Sequence, residues 1–236
     1  MLGKRWTRRV GGGIGGDKLM KSHVEFKMRR QAVYAGSGLV LDVGCSANPN
    51  PFLREAHGLD IVVPQHTPVG YTEVVACDLN TQHIPYKNET FDAVIAGDVI
   101  EHLENPSHFL REVNRVLKSS GKLVLSTPQA NDWWTTLHNW FFRIWIRDPD
   151  IGEHLQNWTM LDMVRLLKKN GFGIDAIEGL YIRFPYVPLL IPCRRCPILC
   201  WQVYYLAHKL HAPDRTTLTR VDGKWLKTEG ASASIS

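Results

Sequence analysis

Long apolar runs are missing from this sequence of 236 residues: no stretch of 18 or more apolar residues occurs, so a conventional membrane-spanning helix is not expected. Cysteine is scarce as well. The five thiols, at 45, 77, 193, 196 and 200, are too few and too clustered for a secreted disulfide framework. The N-terminus, MLGKRWTRRVGGGIGG, is basic but lacks the apolar segment of a secretory signal. A reducing, cytoplasmic location is therefore the expectation. A shortage of aromatics would mark disorder, and there is none: eight Trp, eight Phe and seven Tyr supply enough apolar area for a full core.

Charge is unevenly spread. Residues 1–30 carry +7, residues 31–182 carry −7 and residues 183–236 carry +5, within a formal total of +5. An acidic body thus has two basic ends. Basic segments attract phosphate-bearing surfaces, anionic lipid or nucleic acid, but solvated chain ends have the same composition.

After a Gly-rich arm and a helix expected near 18–35, the pattern from residue 39 alternates strands and helices. GLVLDVGC, HGLDIVV, TEVVACDL, FDAVIAGDV, KLVLSTP and IDAIEGLYI are short β-rich apolar runs, as buried parallel strands should be. NPSHFLREVNRVLKSSG carries helix signals: Asn105 can cap, Pro106 suits the first position, and Leu110, Val113 and Leu117 share a face. In WTMLDMVRLLKKNG, Thr159 is the candidate cap and Gly171 the stop. The expected fold is α/β, a doubly wound and mostly parallel sheet whose ligands sit beyond the carboxyl ends of the strands.

Those ends carry Asp42-Val43-Gly44-Cys45-Ser46, Asp60-Ile61, Cys77-Asp78-Leu79 and Gly97-Asp98. Gly44 lets the backbone turn sharply beside a ligand. Asp60 can accept both hydroxyls of a ribose, and Asp78 can accept from an exocyclic amine. Singly, each acid also reads as a surface turn residue; four at successive strand ends are harder to dismiss.

At this point the chain resembles a known family. LVLDVGCSANPNPF, GLDIV and ACDLNTQHIPYKNETFDAVIAGDVIEHLENPSHFLREVNRVLKSSGKLVLSTP look like the class I S-adenosylmethionine-dependent methyltransferases, in the branch of ubiquinone-biosynthesis-like and polysaccharide- or lipid-modifying small-molecule enzymes. The resemblance covers about residues 38–182. It implies S-adenosylmethionine as cofactor, with Asp42, Gly44, Cys45 and Ser46 against its methionine part and Asp60 and Ile61 at the ribose. It further implies Cys77, Asp78 and Leu79 flanking the adenine, and Gly97 and Asp98 beneath the reacting end. The glycine turn departs from the family pattern, with Ser46 and Asn48 where second and third glycines are usual. A dinucleotide would need those glycines for its pyrophosphate. S-adenosylmethionine has no phosphate.

A sulfonium methyl is already activated, so in-line positioning is the enzyme's main task. For a hydroxyl acceptor a base helps, and His102 and His154 are the candidates; packing or capping is the plain alternative for each. Gly97-Asp98-Val99-Ile100 stands where base-methylating relatives carry an Asn/Asp-Pro-Pro-aromatic turn, and no Cys is there to attack a pyrimidine. Nucleic acid is therefore a minor candidate.

Between strand five and the next helix, NDWWTTLHNWFFRIWIRDPD places Trp133, Leu137, Trp140, Phe141, Ile144 and Trp145 on one helical face, with Trp134 extending it. This 133–147 insertion reads as a lid, with Trp133, Trp134 and Trp140 against a hydrophobic or lipid-linked acceptor, or as a helix packed into the core. The segment 183–236 reads as an apolar, basic extension with Leu199, Val203, Leu206 and Leu210 aligned, fit for an anionic membrane surface, a dimer interface or a sheet-edge cover. Cys193, Cys196 and Cys200 could hold zinc or an iron–sulfur cluster with a fourth ligand such as His208, or carry a lipid, but no second cysteine pair exists, so no metal is expected. TEGASASIS reads as a disordered tail. The reading is a methyltransferase acting on a small hydrophobic or lipid-linked acceptor; a catalytically silent member used as a scaffold is the rival class.

Overall fold

The computed structural model describes residues 14–142, 155–184, 189–213, 216–221 and 224–229. Helix α1 (Ile14–Ala35) leads into strand β1 (Val40–Val43), followed by β2 (Ala56–Asp60), β3 (Tyr71–Ala76) and β4 (Phe91–Gly97). A 3₁₀ turn at Ile100–His102, helix α2 (Pro106–Val116) and strand β5 (Leu117–Pro128) come next. Then follow α3 (Trp133–Phe142), α4 (Met160–Lys169), β6 (Phe172–Phe184), β7 (Leu189–Pro192) and β8 (Gln202–Lys209). Strands β9 (Thr216–Val221) and β10 (Lys224–Glu229) pair antiparallel with each other. The expected disordered tail begins at Thr228, yet Thr228 and Glu229 lie in β10; the remainder is outside the described residues.

One eight-stranded sheet runs β3-β2-β1-β4-β5-β8-β6-β7. Strands β1 to β5 pair in parallel, and β8 runs antiparallel between β5 and β6. The period-two alternation of a strand sends successive side chains to opposite faces. Leu41, Val43, Val94, Ala96, Leu123 and Leu125 meet Phe109, Leu110 and Val113 of α2 and Met163 and Leu167 of α4. Val40, Ala93, Ile95 and Val124 meet Ala32 and Ala35 of α1. Each fully buried aliphatic or Phe side chain contributes about 1.5–3 kcal/mol.

The helix signals hold at the caps. The Asn105 side chain accepts from the His108 N–H at 3.0 Å with Pro106 at the first position, and Thr159 accepts from the Asp162 N–H at 3.2 Å. Gly171 ends α4 at φ 85°, a left-handed value glycine adopts without strain.

Two expectations need correction. Strict alternation fails early: the connections after β1, β2 and β3 hold no helix. Prolines 49, 51, 64, 68 and 85 interrupt all three, and a residue before proline is pushed out of the helical region. The second correction concerns the extension beginning at 183. Its run Gln202–Lys209 is neither a helix nor an appendage but strand β8, inside the sheet, with Val203, Tyr204, Tyr205 and Ala207 buried. A strand buried on both faces shows continuous apolarity that helical spacing cannot separate from a helix. Tyr204 and Tyr205 are β-formers. Among the described residues no helix is long and apolar enough to cross a membrane.

Candidate cofactor and acceptor site

The turn after β1 is shaped by glycine. Gly44 has φ 77° and donates its N–H to Leu59 O at 2.7 Å; a Cβ there would come within 2.7 Å of Val99 Cγ2. This brings the ends of β1 and β2 together. Ser46 N–H donates to Asp60 Oδ2 at 2.8 Å, and Val62 N–H to Asp60 Oδ1 at 3.3 Å. A carboxylate offers about four acceptor positions, so capacity for a diol remains. Ile61 beside it is exposed. Cys45 is buried under Gly58, and burial pushes its thiol up to about 12. Any ligand contact there falls to its backbone.

Asp42 points inward rather than to solvent. It is buried and accepts from the Tyr71 hydroxyl, which itself accepts from the Asn50 N–H at 2.7 Å. Burial pushes its carboxyl up to about 7, against the Tyr71 hydrogen bond and the charge of Lys27. The acid therefore fastens the β1–β2 loop. Asp78 accepts from Asn80 N–H at 3.0 Å and from the Thr81 hydroxyl at 2.8 Å, and these bonds hold its carboxyl below the usual range. Leu79 packs on the main core, and the buried Cys77 thiol faces His83 O at 3.7 Å.

At the end of β4, a Cβ on Gly97 would meet Gln31 Nε2 at 2.4 Å. Asp98 sits at φ 58°, in the left-handed region that Asp tolerates better than most residues. Three partners hold it: the Lys27 ammonium at 2.6 Å, the Ser126 hydroxyl at 3.1 Å and the Gln202 amide. Next to it Glu101 is only 2% exposed. Its Oε2 accepts from the Thr127 hydroxyl at 3.0 Å, while Oε1 has no partner among the described residues. Burial, then the charge of Asp98, push this carboxyl up to about 8.

His102 is half-buried and closes the 3₁₀ turn through its N–H to Val99 O at 3.0 Å. His154 lies outside the described residues. Helix α3 forms where the aromatic insertion was expected, although 143–147 are outside the described residues. Trp133 and Trp134 are half-buried, with ring centroids 5.7 Å apart, and Trp133 lies 5.6 Å from Phe184 at the end of β6. Trp140 is 74% exposed. The stripe therefore is not wholly packed into the core.

Sequence reasoning missed α1's part. His23, Lys27 and Gln31 recur every four residues, which puts them on one face of the helix expected near 18–35, yet none of them was a candidate site residue. Glu101 was passed over for its neighbour His102, and Gln202 sat in a run taken for an extension. The buried Cys200 thiol donates to Cys193 O at 3.1 Å, and among the described residues no group of three or more His, Cys, Asp or Glu side chains is placed to hold a metal ion.

Five buried side-chain atoms have no hydrogen-bond partner among the described residues: His23 Nε2, Glu101 Oε1, Gln129 Oε1, Trp133 Nε1 and Trp158 Nε1. All lie at the carboxyl edge of the sheet. His23 is against Tyr181 near the end of β6 at 5.3 Å, and Glu101, Gln129 and Trp133 follow β4 and β5 directly. Trp158 bridges to Gln129. Unpaired buried polar atoms are expensive, and this edge is where α/β sheets bind ligands.

A family model described as a methyltransferase domain matches residues 29–177. A probable S-adenosylmethionine-dependent methyltransferase of Mycobacterium tuberculosis is 38% identical over 63 residues, 27% of this chain and 23% of that protein. The demethylmenaquinone methyltransferase of Chlamydia pneumoniae is 27% identical over 168 residues, 63% of this chain and 72% of that protein. The chain spans about half (51%) of an uncharacterized Methanocaldococcus jannaschii protein that it also matches. In fold, the chain is similar to a methyltransferase structure from Methanosarcina mazei, with a TM-score of 0.52 at 19% identity, covering 74% of this chain and 93% of that one. The glycine turn, where a Cβ would crowd Val99, and the Asp60 carboxylate with acceptor capacity to spare fit the cofactor of such enzymes, which is S-adenosylmethionine. The chain belongs to the class I S-adenosylmethionine-dependent methyltransferases.

Proposed function

We propose that this protein transfers the methyl group of S-adenosylmethionine to a small hydrophobic acceptor of the quinol type, which can be lipid-linked. The observation that carries the acceptor class is the clustering of aromatic rings at the carboxyl edge: Trp133 with Trp134 and Phe184, and Tyr181 with Trp201 at 5.8 Å. The named activity of the chlamydial relative, on demethylmenaquinone, supports the same class. When bound, the cofactor supplies an electrophilic sulfonium methyl. The chain's own part is to hold ribose hydroxyls at Asp60, flank adenine with the Cys77–Leu79 segment and line the reacting end with Gly97 and Asp98.

For a hydroxyl acceptor, His102 is the proposed proton acceptor, with His154 the second candidate. The exposed Leu189, Ile191, Ile198 and Leu199, beside Arg194 and Arg195, suit transient attachment to an anionic membrane, from which a lipid-linked acceptor is taken. The test is release of S-adenosylhomocysteine from S-adenosylmethionine and demethylmenaquinol under anaerobic conditions. Turnover above the no-enzyme control, reduced at least tenfold in His102→Asn, is expected. A protein that binds cofactor but turns over neither this quinol nor simpler hydroquinones contradicts the acceptor class.

A further inference from the structure

Three of the five unpartnered atoms belong to residues joined by one strip of chain, and a fourth, Trp133 Nε1, follows on the same edge. Glu101 O accepts from the Leu155 and Gln156 N–H groups at 2.9 and 3.1 Å. Gln156 also donates its side-chain amide to Leu103 O at 3.1 Å. Two residues on, Trp158 O accepts from Ala130 N–H at 2.9 Å, and Trp158 bridges to Gln129. The 155–158 strip therefore straps the turn after β4 to the end of β5. It delivers Trp158 to the same edge as Glu101, Gln129 and, three residues beyond Ala130, Trp133.

The chemistry of the four atoms is mixed. The Gln129 amide is oriented by its Nε2, which donates to Ile198 O at 3.3 Å and leaves Oε1 as the unmatched acceptor. Each indole Nε1–H is a donor only. Glu101 Oε1 accepts when ionised and can donate when protonated. No Lys or Arg belongs to the set, so nothing in it calls for a phosphate or carboxylate head. A phenolic hydroxyl, which both donates and accepts, or a keto oxygen, which accepts, matches it.

We infer that Glu101, Gln129, Trp133 and Trp158 are the recognition set for the polar head of the acceptor, an uncharged hydroxyl or keto group on a flat apolar body. The inference rests on the methyl-transfer reading above for the identity of its ligand, but the set itself has a signature that needs no ligand. Groups kept for binding leave the empty protein less stable than their neutral or apolar replacements would. Burial, with Asp98 beside it, already holds the Glu101 carboxyl up near 8, so an isosteric amide relieves a folding penalty at neutral pH. A residue serving only the fold does the reverse.

The experiment has two arms, on wild type, Glu101→Gln and Trp158→Phe of the full chain. The first is thermal unfolding without ligand at pH 7.5, where Glu101→Gln is expected to match or exceed wild type. The second is anaerobic binding of 1,4-dihydroxynaphthalene and of 1,4-dimethoxynaphthalene, whose hydroxyls are blocked. Wild type is expected to prefer the dihydroxy compound at least tenfold, and each variant to lose most of that preference while S-adenosylmethionine affinity stays within about twofold. A lowered melting temperature in Glu101→Gln, or a preference that survives in both variants, overturns the recognition set. Binding of neither naphthalene by protein that still binds S-adenosylmethionine also overturns it, and leaves the cofactor reading intact. Loss of cofactor binding in wild type fails the methyl-transfer reading instead; the unfolding arm then still decides whether Glu101 serves the fold.

Discussion

The two halves of the carboxyl edge are built on opposite terms. Beyond β1, β2 and β3, the three candidate acids are all matched: Asp42 to Tyr71, Asp60 to Ser46 and Val62, and Asp78 to Asn80 and Thr81. Beyond β4, β5 and β6 lie the buried atoms that have no partner among the described residues, beside two acids that are engaged, Asp98 and Asp132. A cofactor common to a whole family is suited by a rigid, self-satisfied half. An acceptor particular to one enzyme is suited by a half that holds polar groups unpaired until it arrives.

The sharpest way to break this contrast is to unpair the matched half. Tyr71→Phe strips Asp42 of its hydroxyl donor and the Asn50 N–H of its acceptor, both buried. It is expected to lower unfolding stability by about 2–4 kcal/mol, read by chemical denaturation. Gly44→Ala comes next. It forces a Cβ into left-handed backbone and against Val99, for a loss of roughly 1–3 kcal/mol.

The open half should respond to pH instead. The Glu101 carboxyl, raised to about 8 in the fold, faces Asp98 and the Lys27 ammonium along with the Thr127 hydroxyl. The folded chain keeps this proton while the unfolded chain, near 4.5, gives it up. Its contribution to stability is therefore full below about 4.5 and is lost as pH rises through about 8. Asp42, raised to about 7, acts in the same direction. Denaturation curves across this window should show stability falling with pH, and less steeply in Glu101→Gln. The smallest effect belongs to Trp140→Ala, since the ring is 74% exposed. Its stability should stay within about 0.5 kcal/mol of wild type, and any change should appear in the affinity for hydrophobic acceptors.

The same contrast explains what could be read from the sequence. Much of the matched half is close in sequence: Ser46 and Asp60 are 14 residues apart in their bond, and Asp78 bonds Asn80 and Thr81, although Asp42 reaches Tyr71 across 29 residues. Strand-end acids and a turn glycine are visible to pattern reasoning for that reason. The other half is assembled over long separations, with Lys27 reaching Asp98 across 71 residues and Gln202 across 104. Nothing in the spacing of α1 announces where its polar stripe will land. Strand β8 was hidden for a related reason. Its central position depends on pairing with β5 and β6, and a two-faced buried strand carries no alternation to betray it.

Cofactor binding by the matched half is the central claim. Calorimetric titration of the full chain with S-adenosylmethionine should give a micromolar dissociation constant, about −8 kcal/mol. Asp60→Ala, which removes a charged acceptor, should weaken it by roughly tenfold to a hundredfold. Folded wild-type protein that shows no heat of binding at millimolar cofactor, or an Asp60→Ala variant that binds as wild type does, would contradict it.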